Sequence, residues 1–267
     1  MYFPHFAGKT YDFIIFQGGQ QRIVYQGTIP EDGKFTLSIP EENKPYKGMS
    51  RWLITGTKEG GGLDMFISGR DFSVSCNEAT PNNSNIIYAN NDYNKELNNL
   101  HQKQESILSR YEVMNQALRV FSVEDKYYSF FKIEFQRQKE AYRDFQKNLN
   151  NRSDYISQFL QIVNITRGIG TELKESQGDK AESINSYIIH KLNWEYLYTS
   201  GHWNTIIDSW ITMHTRVIKN PKRFARDYKA IDSKLKSEKL HYDFSERVKH
   251  DLITESREDF LKELKIN

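Results

Sequence analysis

The sequence predicts an α+β protein, a small antiparallel β-sandwich or open barrel followed by an all-α helical domain, on three observations. Up to about residue 82, apolar residues recur at every second position in short runs separated by glycine turns, the period of half-buried strands. From about residue 93 they recur three and four apart in long charged segments, the period of amphipathic helices. Between the two lies a polar, Asn-rich run from Asn77 to Asn94 that contains Pro81. The expected division is therefore a β-domain at 1–82, a linker at 83–92 and a helical domain at 93–267.

The β-region is organised around residues 23–40. Ile23 and Tyr25 alternate before Asp32-Gly33, and Phe35, Leu37 and Ile39 alternate after it, which predicts a hairpin with one apolar face on each arm. Tyr11, Phe13 and Ile15 form the preceding strand, closed by Gly18-Gly19. Trp52 and Ile54 form the next, and Glu59-Gly60-Gly61-Gly62 turns the chain into Leu63, Met65 and Ile67. Gly69 separates these from Phe72, Val74 and Cys76.

In the second half, Tyr93, Leu97, Leu100, Ile107, Leu108 and Tyr111 predict one helix. Ser122 and Asp125 read as a capping box for the next, whose stripe runs through Tyr128, Phe131, Phe135, Gln138, Tyr142, Phe145 and Leu149. A shorter helix from Ser153 carries Phe159, Ile162 and Val163 and ends at Gly168 and Gly170. Ile184, Ile188, Leu192 and Tyr196 make a fourth, and Trp203, Ile207, Trp210 and Ile211 a fifth. Asn220-Pro221 is an N-cap with proline at the first helical position, opening a helix through Leu235, and Asp243 with Glu246 repeats the capping pattern before Val248. The amphipathic pattern continues to Asn267, which predicts a chain cut in mid-pattern.

Composition narrows the function classes. With 37 basic and 35 acidic residues the net charge of +2 sets up no long-range field toward nucleic acid. Sixteen Tyr, 16 Phe and 4 Trp allow an aromatic-rich core in an otherwise polar chain. No run is long and apolar enough for a membrane span, and the start lacks the pattern of a signal peptide, which leaves a cytoplasmic protein or a mature form. The single cysteine, Cys76, rules out a CxxC redox pair and a multi-cysteine zinc site within these residues.

Candidate sites each have a plain alternative. Cys76 is a reactive thiol if exposed and electropositive, but its phase with Phe72 and Val74 predicts burial. Gly60-Gly61-Gly62 lacks the ending of a phosphate loop and reads as a hairpin turn. The seven His residues show no metal-ligand spacing, so no metal or cofactor is expected, and no acid pair singles itself out. The basic run at 216–239 is interspersed with Asp227, Asp232 and Glu238 and reads as a solvated helix face. Trp194, Tyr198, His202, Trp203 and Trp210 form the candidate binding patch, able to stack on a glycan or peptide; their helical spacing around Gly201 equally fits a packing seam. The Tyr128 to Leu149 stripe is read as intramolecular core, with a homodimer seam as the alternative.

The order Gly27-Thr28-Ile29-Pro30-Glu31-Asp32-Gly33-Lys34-Phe35-Thr36-Leu37, Leu63-Asp64-Met65-Phe66-Ile67, Phe72-Ser73-Val74-Ser75-Cys76, Asn-rich linker and charged helices resembles the N-terminal region of Bacteroidetes thioredoxin-like thiol:disulfide interchange proteins. In that family the region is a β-domain of unknown function with helices, and a catalytic thioredoxin-like domain carrying CxxC follows. The resemblance implies a periplasmic or envelope location and a C-terminal thioredoxin-like partner domain. This chain has no CxxC, so no catalytic residue carries over. The expected function is a non-catalytic, substrate- or partner-engaging accessory region of a thiol-disulfide oxidoreductase. A free-standing envelope protein binding glycan or peptide is the alternative, and a hydrolase the third reading.

Overall fold

A computed structural model describes residues 1–58 and 60–264. Glu59 of the expected glycine turn, and Lys265 to Asn267 of the expected mid-pattern end, lie outside the described residues. The fold is α+β, with a four-stranded and a two-stranded antiparallel sheet followed by helices. It divides into two compact units, Met1–Asn98 with Glu195–Trp203, and Asn99–Trp194 with Asn204–Asn267.

In the first unit, β1 (Thr10–Gln17), β2 (Gln20–Thr28), β3 (Gly48–Thr55) and β4 (Gly62–Ile67) form one sheet in the order β2-β1-β3-β4. The turn into β4 places Gly60 at φ 63° and Gly61 at φ 129°, conformations that a side chain would strain. β5 (Ser73–Ser75) pairs with β6 (Ile87–Ala89), so the expected linker contains a strand. Tyr11, Phe13, Trp52, Ile54 and Met65 share one core with Val74 and Cys76. Ile14 and Phe16 are buried as well, making residues 13–16 of the central strand a continuous apolar run covered on both faces.

The expected 23–40 hairpin does not form. Asp32-Gly33 does turn the chain, with Gly33 at φ 72° and Asp32 Oδ1 accepting from Lys34 N at 3.0 Å. But β2 pairs only with β1, Ile23 and Tyr25 remain exposed, and residues 35–39 are not a ladder strand. The hydrogen bonds won by β1 come from the shorter loop at Gly18-Gly19, and β2 is left as an edge strand.

The boundary at 82 also moves, because later residues complete this unit. Asn94 Oδ1 accepts from Phe66 N at 2.8 Å, and Asn91 and Asn94 Nδ2 donate to Phe66 O at 2.9 and 3.1 Å, closing the edge of β4. Far along the chain, Tyr198 O accepts from Gly18 N at 2.7 Å, and Thr199 O from Met49 N at 2.9 Å. A Cβ on Gly201 would lie 3.2 Å from the Phe16 ring, so this detached segment covers the second face of the sheet.

The helices are α1 (Asp92–Val120), α2 (Tyr128–Asn150), α3 (Tyr155–Thr166), α4 (Gln177–His190), α5 (Trp194–Tyr198), α6 (Trp203–Thr212), α7 (Pro221–Asp232), α8 (Glu238–Thr254) and α9 (Glu258–Leu264). Asn220 caps α7 as expected, Oδ1 accepting from Arg223 N at 3.0 Å. Ser122 and Asp125 instead close a turn before α2, with Asp125 Oδ2 accepting from Ser122 N at 2.7 Å. Asp243 falls inside α8, whose true cap is Ser237. The second core is aromatic: Trp210 stacks on Phe224 at 4.6 Å, and Phe244 and Phe260 close around them. Between α1, α2 and α3 lies a buried amide chain, where Gln104 and Asn164 exchange hydrogen bonds at 2.7 and 2.8 Å and Gln146 reaches Gln104 at 3.3 Å. Each amide there satisfies another that would otherwise be stranded.

Candidate functional site

The aromatic patch expected from the sequence is interior. Trp194, Tyr198, Trp203 and Trp210 are all buried, and His202 is half-buried with its imidazole held below its ordinary pKa by desolvation. Tyr198 and Trp203 meet edge to face at 5.3 Å in the first unit, while Trp194 packs edge-on against Phe244 at 5.2 Å in the second. A platform for a sugar or peptide needs open ring faces, which these four buried rings do not offer.

The densest polar chemistry lies beside Trp210, where α6 runs into a π-helical turn at Met213–Ile218. Trp210 Nε1 donates to Asn185 Oδ1 at 2.9 Å, His214 Nε2 lies 3.1 Å from the same oxygen, and Asn185 Nδ2 donates to Asp227 Oδ2 at 3.0 Å. Arg226 Nε reaches Asp227 Oδ1 at 3.2 Å, and Arg223 forks onto Glu182 at 2.6 and 2.5 Å. Burial pushes the His214 imidazole down to about 4, outweighing the pull of Asp227 in the opposite direction. An imidazole beside a carboxylate is the raw material of general-base catalysis. Here it has no exposed surface, and its bonds tie α4 to α7 and the π-helical turn.

A second titratable cluster borders a cavity of about 440 Å³ lined by Ile184, Thr205, Asp208, Ser209 and Met213. Arg247 clamps Asp208 through Nε and Nη2 at 2.8 and 2.7 Å and reaches Asp251 at 3.2 Å. Burial, then the neighbouring Asp208, push the Asp251 carboxyl up to about 7. This pair can hold a proton near neutrality, but Arg247 occupies both oxygens of the carboxylate that faces the cavity. Among the described residues no group of three or more His, Cys, Asp or Glu is arranged to hold a metal ion. Cys76 is buried, as its phase predicts, with Sγ 3.4 Å from Asn85 Oδ1.

Among the described residues, apolar side chains are open to solvent in several places, two of which bear on function. At the tip of the α1–α2 hairpin, Val120, Val123, Tyr127, Phe130 and Ile133 are between 53% and 80% exposed. The inner side of the hairpin is closed by Tyr111 on Phe135 at 4.9 Å and Phe121 on Phe131 at 5.0 Å, which leaves the other apolar side chains without cover. Sequence reasoning passed over them, although the signal is present: Phe130 and Ile133 are apolar yet out of phase with the Phe131, Phe135, Tyr142 stripe. In the first unit, a cleft of about 710 Å³ is lined by Phe13, Leu37, Ile39, Met65, Ile67 and Phe72, with Lys44 and Arg70 also in its wall.

Comparison with protein-family models, curated proteins and solved structures finds no significant match to this chain. No helix among the described residues is long and apolar enough to cross a membrane.

Proposed function

We propose that this chain is a non-catalytic, polypeptide-engaging accessory region that serves a thioredoxin-like thiol-disulfide oxidoreductase of the cell envelope. The observation that carries the reading is the uncovered apolar tip of the α1–α2 hairpin. Oxidoreductases act on chains that are not yet folded, and such chains expose apolar segments. A helix hairpin that exposes Val120, Phe130 and Ile133 gains by covering such segments, as apolar surface leaves water on both sides. The charges around the tip favour polypeptide over lipid. Arg119, Lys126 and Lys132 are matched by Glu124, Asp125 and Glu134, whereas an anionic bilayer is drawn by an excess of cations. The resemblance in residues 27–76 supports the choice of enzyme class, and the buried Cys76 is placed to pack rather than to exchange.

Fluorescence anisotropy with reduced, carboxymethylated lactalbumin as an unfolded client tests the reading. The parent chain should bind it, and the double variant Phe130→Asp, Ile133→Asp should bind roughly tenfold more weakly with an unchanged melting curve, since both side chains are solvated in the native state. No binding by the parent, or equal binding by the variant, overturns the reading. So does a variant that keeps the client but falls from dimer to monomer in sedimentation, because the tip would then belong to self-association.

A further inference from the structure

We propose that the cleft bordered by α3, α4 and α6 binds a small facially amphipathic carboxylate, apolar on one side and hydroxylated on the other. The inference goes beyond the polypeptide-engaging reading and does not depend on it. The cleft holds about 440 Å³ and lies wholly within the second unit, so one folded body supplies every wall. A space of this size takes a small molecule. Its apolar lining comes from Ile165 near the end of α3, Ala181 and Ile184 on α4, and Met213 and Val217 in the π-helical turn. Ile165, Ala181 and Ile184 are themselves buried, so packing holds this side in place.

The polar lining is a row of hydroxyls. Thr205, Ser209 and Thr212 stand at i, i+4 and i+7 of α6, which sets them along one helix face about 6 and 4.5 Å apart. A helical hydroxyl can bond back to a carbonyl three or four residues earlier, as Ser233, Ser245 and Thr254 do at 2.9, 3.1 and 2.8 Å. Those of Thr205, Ser209 and Thr212 bond to no protein group among the described residues, which leaves each able to donate and accept. Charge then selects the ligand's sign. Lys180 and Asp208 are the charged lining residues; Arg247 forks onto Asp208 at 2.8 and 2.7 Å, whereas half-buried Lys180 has no ion pair among the described residues. One unmatched ammonium beside an apolar wall and three hydroxyls suits one carboxylate on a body with a hydroxylated edge. An unbranched fatty acid would leave the hydroxyls unanswered, and a sugar would leave the apolar wall uncovered.

The probe is cholate, which carries three hydroxyls on one face of an apolar ring system and a single carboxylate. It is titrated into the whole chain below its micellar concentration and followed by calorimetry. The parent should bind it, and its uncharged methyl ester should bind at least about tenfold more weakly. Lys180→Met should cost cholate a similar factor and leave the ester unchanged, a split that damage to the fold would not produce. The double variant Ser209→Ala, Thr212→Val should weaken cholate and spare lithocholate, which has a single hydroxyl. Phe130→Asp, Ile133→Asp should bind cholate as the parent does, because neither side chain lines the cleft. No binding of cholate, equal weakening of acid and ester by Lys180→Met, or loss of cholate in the tip variant overturns the proposal. Lactalbumin reads the tip and cholate reads the cleft, so either reading stands when the other fails.

Discussion

His214 shows how much one side chain decides at the residue scale. Asn185 is oriented by Asp227, which accepts from its Nδ2, so the Asn185 oxygen must accept from both Trp210 and His214. That places the imidazole proton on Nε2 and leaves Nδ1 buried with no acceptor. A second proton would charge a buried imidazole, whose desolvation outweighs the attraction of Asp227 Oδ2 at 3.5 Å from Nε2. The folded pKa of about 4 lies below the ordinary 6.5, so the unfolded chain binds more protons in that window and stability falls as pH falls through it. At pH 4.5 the loss relative to pH 7 should be roughly 2–3 kcal/mol from this group alone. Asp251 acts with the opposite sign, because a raised carboxyl pKa favours the fold as pH falls below about 7. Urea denaturation of the parent and of His214→Gln at both pH values isolates the histidine contribution; parallel pH dependences in the two proteins would refute it.

At the scale of elements, glycine decides where the detached segment seats. Gly201 has φ 81°, and its missing side chain admits the Phe16 ring, while a Cβ on Gly48 would come within 2.4 Å of Thr199. Gly201→Ala combines a left-handed backbone with overpacking and should cost roughly 1–3 kcal/mol by thermal or urea unfolding. Gly8→Ala serves as the reference, since it too has positive φ but meets nothing within 4 Å. Equal losses in the two would show that the Phe16 contact is immaterial. The same reasoning explains residues 35–39, where side-chain phase is satisfied by the core while the expected partner strand β2 has been taken by β1 through the Gly18-Gly19 turn.

For the whole molecule, the first unit is not a contiguous stretch of chain. Residues 195–203 supply acceptors to Gly18 and Met49 and cover Phe16, all inside that unit. A fragment of residues 1–98 should therefore expose Phe16, show a broad, non-cooperative melt and bind a hydrophobic dye. Adding a peptide of residues 195–203 should sharpen the transition, because it binds only the folded form. A fragment that melts as sharply without the peptide as with it would return the boundary to the linker that composition suggests.

What the sequence determined alone was whatever depends on neighbours along the chain. The change from period two to period three and four gave the α+β class; positive-φ glycines marked the turns at Gly33, Gly60 and Gly168; Asn220 and Pro221 opened α7; and the phase of Val74 placed Cys76 in the core. Only the tertiary structure decided which strand β2 would join, because alternation fixes the face of a strand and not the identity of its partner. It alone decided that Trp203 and Trp210 are core, since an aromatic at helical spacing suits a seam and a binding platform equally until its ring faces are seen to be covered. The open tip was half legible: that Phe130 and Ile133 fall out of phase with the Phe131, Phe135, Tyr142 stripe is written locally, but that nothing covers them is not. Exposure is a property of what fails to arrive from elsewhere in the chain, which the phase of an apolar residue suggests and does not decide.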